Sequence, residues 1–65
     1  MYNIKQLREN LGWTQEILSE ISGVNRVLIA NYESKGKGMT LTTAMKLADA
    51  LNCTVNDLFG KEEPA

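Results

Sequence analysis

The stretch "TQEILSEISGVNRVLIANYE", residues 14–33, most limits what this chain can become. It holds two short helical patterns with only Ser22-Gly23-Val24 between them. Thr14 opens the first, because its hydroxyl can accept a bond from the free backbone N–H groups of the following turn. Asn25 opens the second in the same way. Trp13 and Leu18 flank the first cap as a hydrophobic staple, and Val24 and Ile29 repeat the arrangement at the second. Helices this short and this closely joined cannot lie antiparallel. They must cross at a steep angle. Ser19, Ser22, Gly23 and Ala30 are small enough to permit that approach, and Gly23 can supply a positive φ.

The remaining patterns are also helical, and no strand is expected. Ile4, Leu7 and Leu11 share one face of a helix over residues 3–11, which Gly12 stops. The second helix ends near residue 22. The third ends near residue 33 and turns Ile29 and Tyr32 inward. Residues 34–39, with two glycines and two lysines, read as a loop. Thr40 caps a fourth helix over 41–51, whose apolar face is Leu41, Ala44, Leu47, Ala48 and Leu51, and Asn52 can end it. Thr54 caps a short fifth helix with Asp57 as its capping-box partner. Val55, Leu58 and Phe59 point inward there, and Gly60 stops it. Residues 1–60 thus make one all-α domain, followed by a polar tail at 61–65.

Composition removes several alternatives. A chain of 65 residues is one domain, and it buries only about 60% of its unfolded surface, so its stability margin is thin. Cys53 is the single cysteine and there is no histidine. That excludes an internal disulfide and a zinc cluster, and Cys53 reads as a small, partly buried apolar residue. Without histidine the commonest general base is missing. "GKG" at 36–38 lacks the flanking residues and preceding strand of a phosphate-binding loop. No apolar run reaches the roughly 20 residues of a membrane span and no signal pattern opens the chain, so a cytoplasmic protein is expected, with no cofactor, no metal and no small-molecule substrate. Net charge is −1, but its distribution is uneven. Arg26, Lys35, Lys37 and Lys46 face Glu33 alone in the middle of the chain, while Glu9, Glu16, Glu20, Asp49, Asp57, Glu62 and Glu63 lie outside it. This is a basic centre on an acidic body.

With "LRENLGWTQ" (7–15), "GVNRVLIANYE" (23–33) and "LADALNCTVNDLF" (47–59) in order, the chain resembles the phage repressor, Cro and xenobiotic-response-element class of helix-turn-helix domains. The likeness covers residues 4–59. A proline common in that class before the fourth helix is absent, and Met39 stands there. The resemblance implies a compact five-helix, lambda-repressor-like fold that binds double-stranded DNA. It implies base-facing positions at Arg26, Val27, Leu28 and Asn31. Gln15, Asn25, Ser34, Lys35 and Lys37 match phosphate contacts, Gln15 also bracing the third helix. Arg8 and Glu33 match an ion pair tying the first helix to the end of the third.

The residue types suit those roles. Arg26 can bond guanine O6 and N7, or else a phosphate. Asn31 can pair with adenine N6 and N7, and Val27 can touch a thymine methyl. Leu28 can do the same, or pack against the end of the second helix or the following loop. Gln15 stands beside the free N–H groups of a helix start, which attract phosphate. Ile17 and Ile21 form an apolar pair where the class commonly has charges. It is a local contact or a partner surface. The expected function is that of a transcriptional regulator, most simply a repressor in so short a chain, binding a palindromic operator as a homodimer through Val55, Leu58 and Phe59. The alternative is a protein-interaction module on the same fold, such as an antitoxin or antirepressor.

Overall fold

The computed structural model describes residues 2–36 and 38–59. Five helices follow one another: α1 (Ile4–Asn10), α2 (Gln15–Ser22), α3 (Arg26–Lys35), α4 (Leu41–Ala50) and α5 (Val55–Phe59). No strand occurs among the described residues. Lys37 with its expected phosphate contact, the stop at Gly60 and the tail at 61–65 lie outside them.

Short polar side chains start four of the helices. Thr14 Oγ1 accepts from the Ile17 N–H at 3.1 Å. Asn25 Oδ1 accepts from the Val27 N–H at 2.7 Å, and Thr40 Oγ1 from the Thr43 N–H at 3.3 Å. At α5 the box is reciprocal. The Thr54 N–H donates to Asp57 Oδ2, and the Asp57 N–H to Thr54 Oγ1, both at 3.1 Å. Each such cap contributes about 1 kcal/mol. In a chain with helices of five to ten residues, that decides where each one begins. Asn3 differs. It precedes α1 without capping it by its side chain, and instead its Nδ2 donates to the Asp57 carbonyl at 3.0 Å.

The core is Ile4, Leu18, Val24, Ile29, Tyr32, Ala44, Leu47, Ala48, Leu51 and Leu58. Every helix contributes to it. α2 packs on α3 and α4, α4 on α5, and α1 on α3. Tyr2 closes one end. Its ring meets Tyr32 and Phe59 edge to face, with centroids 6.0 and 5.6 Å away, and its hydroxyl accepts from the Met39 N–H at 3.1 Å.

Three expected faces need correction. Leu41 is 65% exposed, because it stands on the first turn of α4, one turn before Ala44, where no other element reaches over it. Leu11 is exposed as well. It is the C-cap of α1, where the N–H groups fold back onto Arg8 and Glu9 carbonyls, at the far end of the face that Ile4 turns into the core. Phe59 keeps an exposed flank beside Tyr2. The loop expected at 34–39 is also shorter. Ser34 and Lys35 form the last turn of α3, and Gly36, at φ 70°, ends it in the left-handed conformation.

Candidate nucleic-acid interface

The turn between α2 and α3 is Gly23, Val24 and Asn25. Gly23 has φ 77°, and its N–H donates to the Ser19 carbonyl at 2.9 Å. Left-handed backbone suits glycine, which has no Cβ to collide with its own carbonyl. The two serines of α2 then satisfy the next residue. Ser19 Oγ donates to the Val24 carbonyl at 2.6 Å, and the Val24 N–H donates to Ser22 Oγ at 3.1 Å. With its backbone paired, Val24 can bury its side chain in the core. Small residues here therefore do more than make room: two of them carry the turn's hydrogen bonds.

α3 has two unlike sides. Ile29 and Tyr32 are buried, whereas Arg26, Val27, Leu28, Asn31, Ser34 and Lys35 are exposed. At about 100° per residue, Val27, Asn31 and Ser34 fall within about 60° of one another, on the side opposite the core. Arg26 stands about 100° to one side of Val27 and Leu28 about 100° to the other. Arg26 and Asn31 are therefore about 140° apart around the axis, and the protein's own chain covers neither. Asn25 is exposed at the helix start, with its side chain engaged as the cap.

α3 is braced from behind by one polar cluster. Arg8 is nearly buried. Its Nε donates to Glu33 Oε2 at 2.9 Å and a terminal nitrogen to Glu33 Oε1 at 3.0 Å. Its other terminal nitrogen reaches the Trp13 carbonyl at 2.8 Å. Gln15 Nε2 donates to Glu33 Oε1 at 3.0 Å. The Glu33 side chain is only 6% exposed. Burial pushes its carboxyl up, but the hydrogen bonds from Arg8 and Gln15 and the charge of Arg8 outweigh that and hold it below its ordinary 4.5. The bond to Glu33 likewise holds the Arg8 guanidinium above its ordinary value, against its desolvation. The pair is therefore ionised throughout the neutral range. Gln15 uses one amide N–H on Glu33 and has a second, so a phosphate contact and the brace do not compete for the same hydrogen. The Gln15–Glu33 bond had no local signature, because 18 residues separate the partners.

The residues expected at a dimer contact are not alike. Leu58 is 0% exposed. It belongs to the core, and its carbonyl accepts from the Asn3 N–H at 2.7 Å, so it cannot meet a partner while the domain is folded. Val55 is half-buried against the core, and Phe59 offers one open flank. Ile17 and Ile21 are both exposed on α2. The Cys53 thiol, half-buried, is pushed up by desolvation and by the nearby Asp57. Among the described residues no group of three or more metal-ligating side chains gathers, and no helix is long and apolar enough to cross a membrane.

A closely turned helix pair with an open outer face is what the sequence pattern demanded, and comparison with known proteins decides the family. The helix-turn-helix family, in its Cro/C1-type form, matches residues 4–58. The chain belongs to the Cro/C1-type helix-turn-helix family. This family binds double-stranded DNA and includes transcription regulators and antitoxins. The Cro/C1-type chain is 38% identical to control protein C.SmaI of Serratia marcescens over 60 residues, covering 92% of this chain and 71% of that one. It is 33% identical to antitoxin HipB of Escherichia coli over 52 residues, covering 80% and 59%. The solved structure of a hypothetical transcription factor, NHTF, from Neisseria superposes with a TM-score of 0.80 at 32% identity, covering 88% of this chain and 64% of that one.

Proposed function

We propose that this protein is a sequence-specific transcriptional regulator, a repressor, that lays α3 in the major groove of a palindromic operator as a homodimer. The observation that carries the reading is the outer side of α3. Val27, Asn31 and Ser34 stand clear of the core with Arg26 and Leu28 beside them, on a helix of the right diameter for the groove. Arg26 and Asn31 hydrogen-bond base edges, and Val27 and Leu28 make apolar contacts. Gln15, Asn25, Ser34, Lys35 and Lys37 meet phosphates and set the register. One module of this size touches few base pairs. Two copies related by a two-fold axis double the contacts, with Val55 and Phe59 in the contact between them, and half-sites about 34–36 Å apart.

Selection of binding sites from random DNA tests this. The expected product is a symmetric pair of half-sites at that spacing. Arg26→Ala should relax the preference at one position of each half-site, by about 1–3 kcal/mol of discrimination. Selection that returns unenriched DNA would remove the reading. The likeness to antitoxin HipB and the exposed Ile17 and Ile21 favour a second reading, a module that binds a protein partner. A titration with random DNA at low salt separates the two. A regulator binds weakly and lets go as salt rises. A purely protein-binding module does not bind.

A further inference from the structure

We propose that the Tyr2 hydroxyl positions the end of α3 for DNA. It ties down the connection that follows α3, so that Lys35 meets its phosphate with little further ordering. The proposal rests on the DNA-reading function above and names a positioning residue outside the helix-turn-helix pair. The connection from α3 to α4 runs between Lys35 and Leu41. Two of its residues, Gly36 and Gly38, have φ of 70° and 91°. Glycine has the widest choice of backbone conformation and loses the most freedom when held in one, so the connection has little stiffness of its own. Tyr2 grips it at both ends. Its ring lies edge to face on that of Tyr32, with centroids 6.0 Å apart, and the Tyr32 carbonyl accepts from the Gly36 N–H. Its hydroxyl accepts from the Met39 N–H at 3.1 Å, across 37 residues of sequence. Among the described residues this is the one hydrogen bond that joins the connection to a distant part of the chain.

Ring packing does not account for the hydroxyl. Phe59 meets the same ring edge to face with no polar group of its own, and a phenyl at position 2 would keep the contacts with Tyr32 and Phe59. What the oxygen adds is the bond to Met39. A proline in place of Met39 would have no N–H to give, so the bond depends on both residues. Tyr32 is buried and gives the Tyr2 ring a fixed wall. Lys35 is exposed in the last turn of α3, three residues after Tyr32. A segment already held in its bound shape loses less entropy on binding and so binds more tightly. Tyr2 thus does its ordering in advance, when the protein folds, rather than when Lys35 meets DNA.

The test uses the full chain, with its selected operator and with random DNA at low salt. Tyr2→Phe removes the oxygen and keeps the ring, and its thermal unfolding is recorded alongside. It should weaken binding to both DNAs by the same factor, about fivefold. In a Lys35→Ala background the same change should cost no further affinity, because the contact it serves is already gone. A Kd unchanged by Tyr2→Phe, whatever happens to Tm, makes the hydroxyl a clasp for the fold alone and overturns the proposal. A fivefold loss that persists with Lys35→Ala overturns it too. Either result leaves the DNA-reading function standing. A wild-type protein that binds neither DNA overturns both.

Discussion

Glu33 is an acid at the heart of the basic segment, and the structure turns it inward. Its carboxylate takes three hydrogen bonds, two from Arg8 and one from Gln15. Its folded pKa lies below the ordinary 4.5, so unfolding raises its affinity for a proton. The stabilisation from this shift is fully present above the unfolded value and disappears as pH falls through the folded one. Chemical denaturation followed from pH 7 down to pH 3 should therefore show stability dropping below about pH 4.5, and Glu33→Gln should flatten that limb. At pH 7 the same substitution leaves the Arg8 charge buried without its partner and should cost about 3–5 kcal/mol. Much of a domain this small is at stake in such a loss. A loss under 1 kcal/mol would mean that the guanidinium finds water instead. This pair shows what a sequence withholds. Arg8 and Glu33 are 25 residues apart, and nothing in their local patterns joins them; only likeness to a known class brought them together. Leu58 shows the converse. It was legible as an inward residue of α5, and that same inwardness removes it from any contact with a second copy.

At the scale of the element, the legible features were those governed by a few neighbouring residues. The caps at Thr14, Asn25, Thr40 and Thr54 needed only the reach of a short side chain to the N–H groups of the next turn. The length of α3 was less legible, because Ser34 suits a turn as readily as a helix and two glycines follow closely, whereas the real stop is Gly36. The exposure of Leu41 was hidden because periodicity tells which side of a helix is apolar, not how far along it a neighbour extends. The α2–α3 turn offers a direct test. A Cβ at Gly23 would meet no atom within 4 Å, so Gly23→Ala brings backbone strain and no collision. It should cost about 1–2 kcal/mol, read as a shift of the urea midpoint with an unchanged slope. A far larger loss would indicate that the crossing of α2 and α3 depends on more than the turn's dihedral angles.

For the whole molecule, net charge is a poor guide to how DNA meets it. The sum is −1, yet the acid of the central segment is sequestered by Arg8, while Arg26, Lys35 and Lys46 remain exposed. Glu9, Glu16, Glu20, Asp49 and Asp57 are exposed elsewhere on the helices. Association with DNA should therefore weaken steeply as salt rises, since each neutralised phosphate releases counterions. Replacing Lys35 with alanine should weaken binding to all sequences alike and reduce the slope of log K against log salt by about 1. An unchanged slope would take Lys35 off the phosphate backbone.

The first and last described segments are clasped to each other. Asn3 holds α5 through its main-chain and side-chain N–H groups, and Tyr2 lies against Phe59. Freeing either Asn3 or α5 breaks the bonds that hold the other, so these two segments should open together. Amide exchange at Asn3 and across the closing helix should run on a single clock.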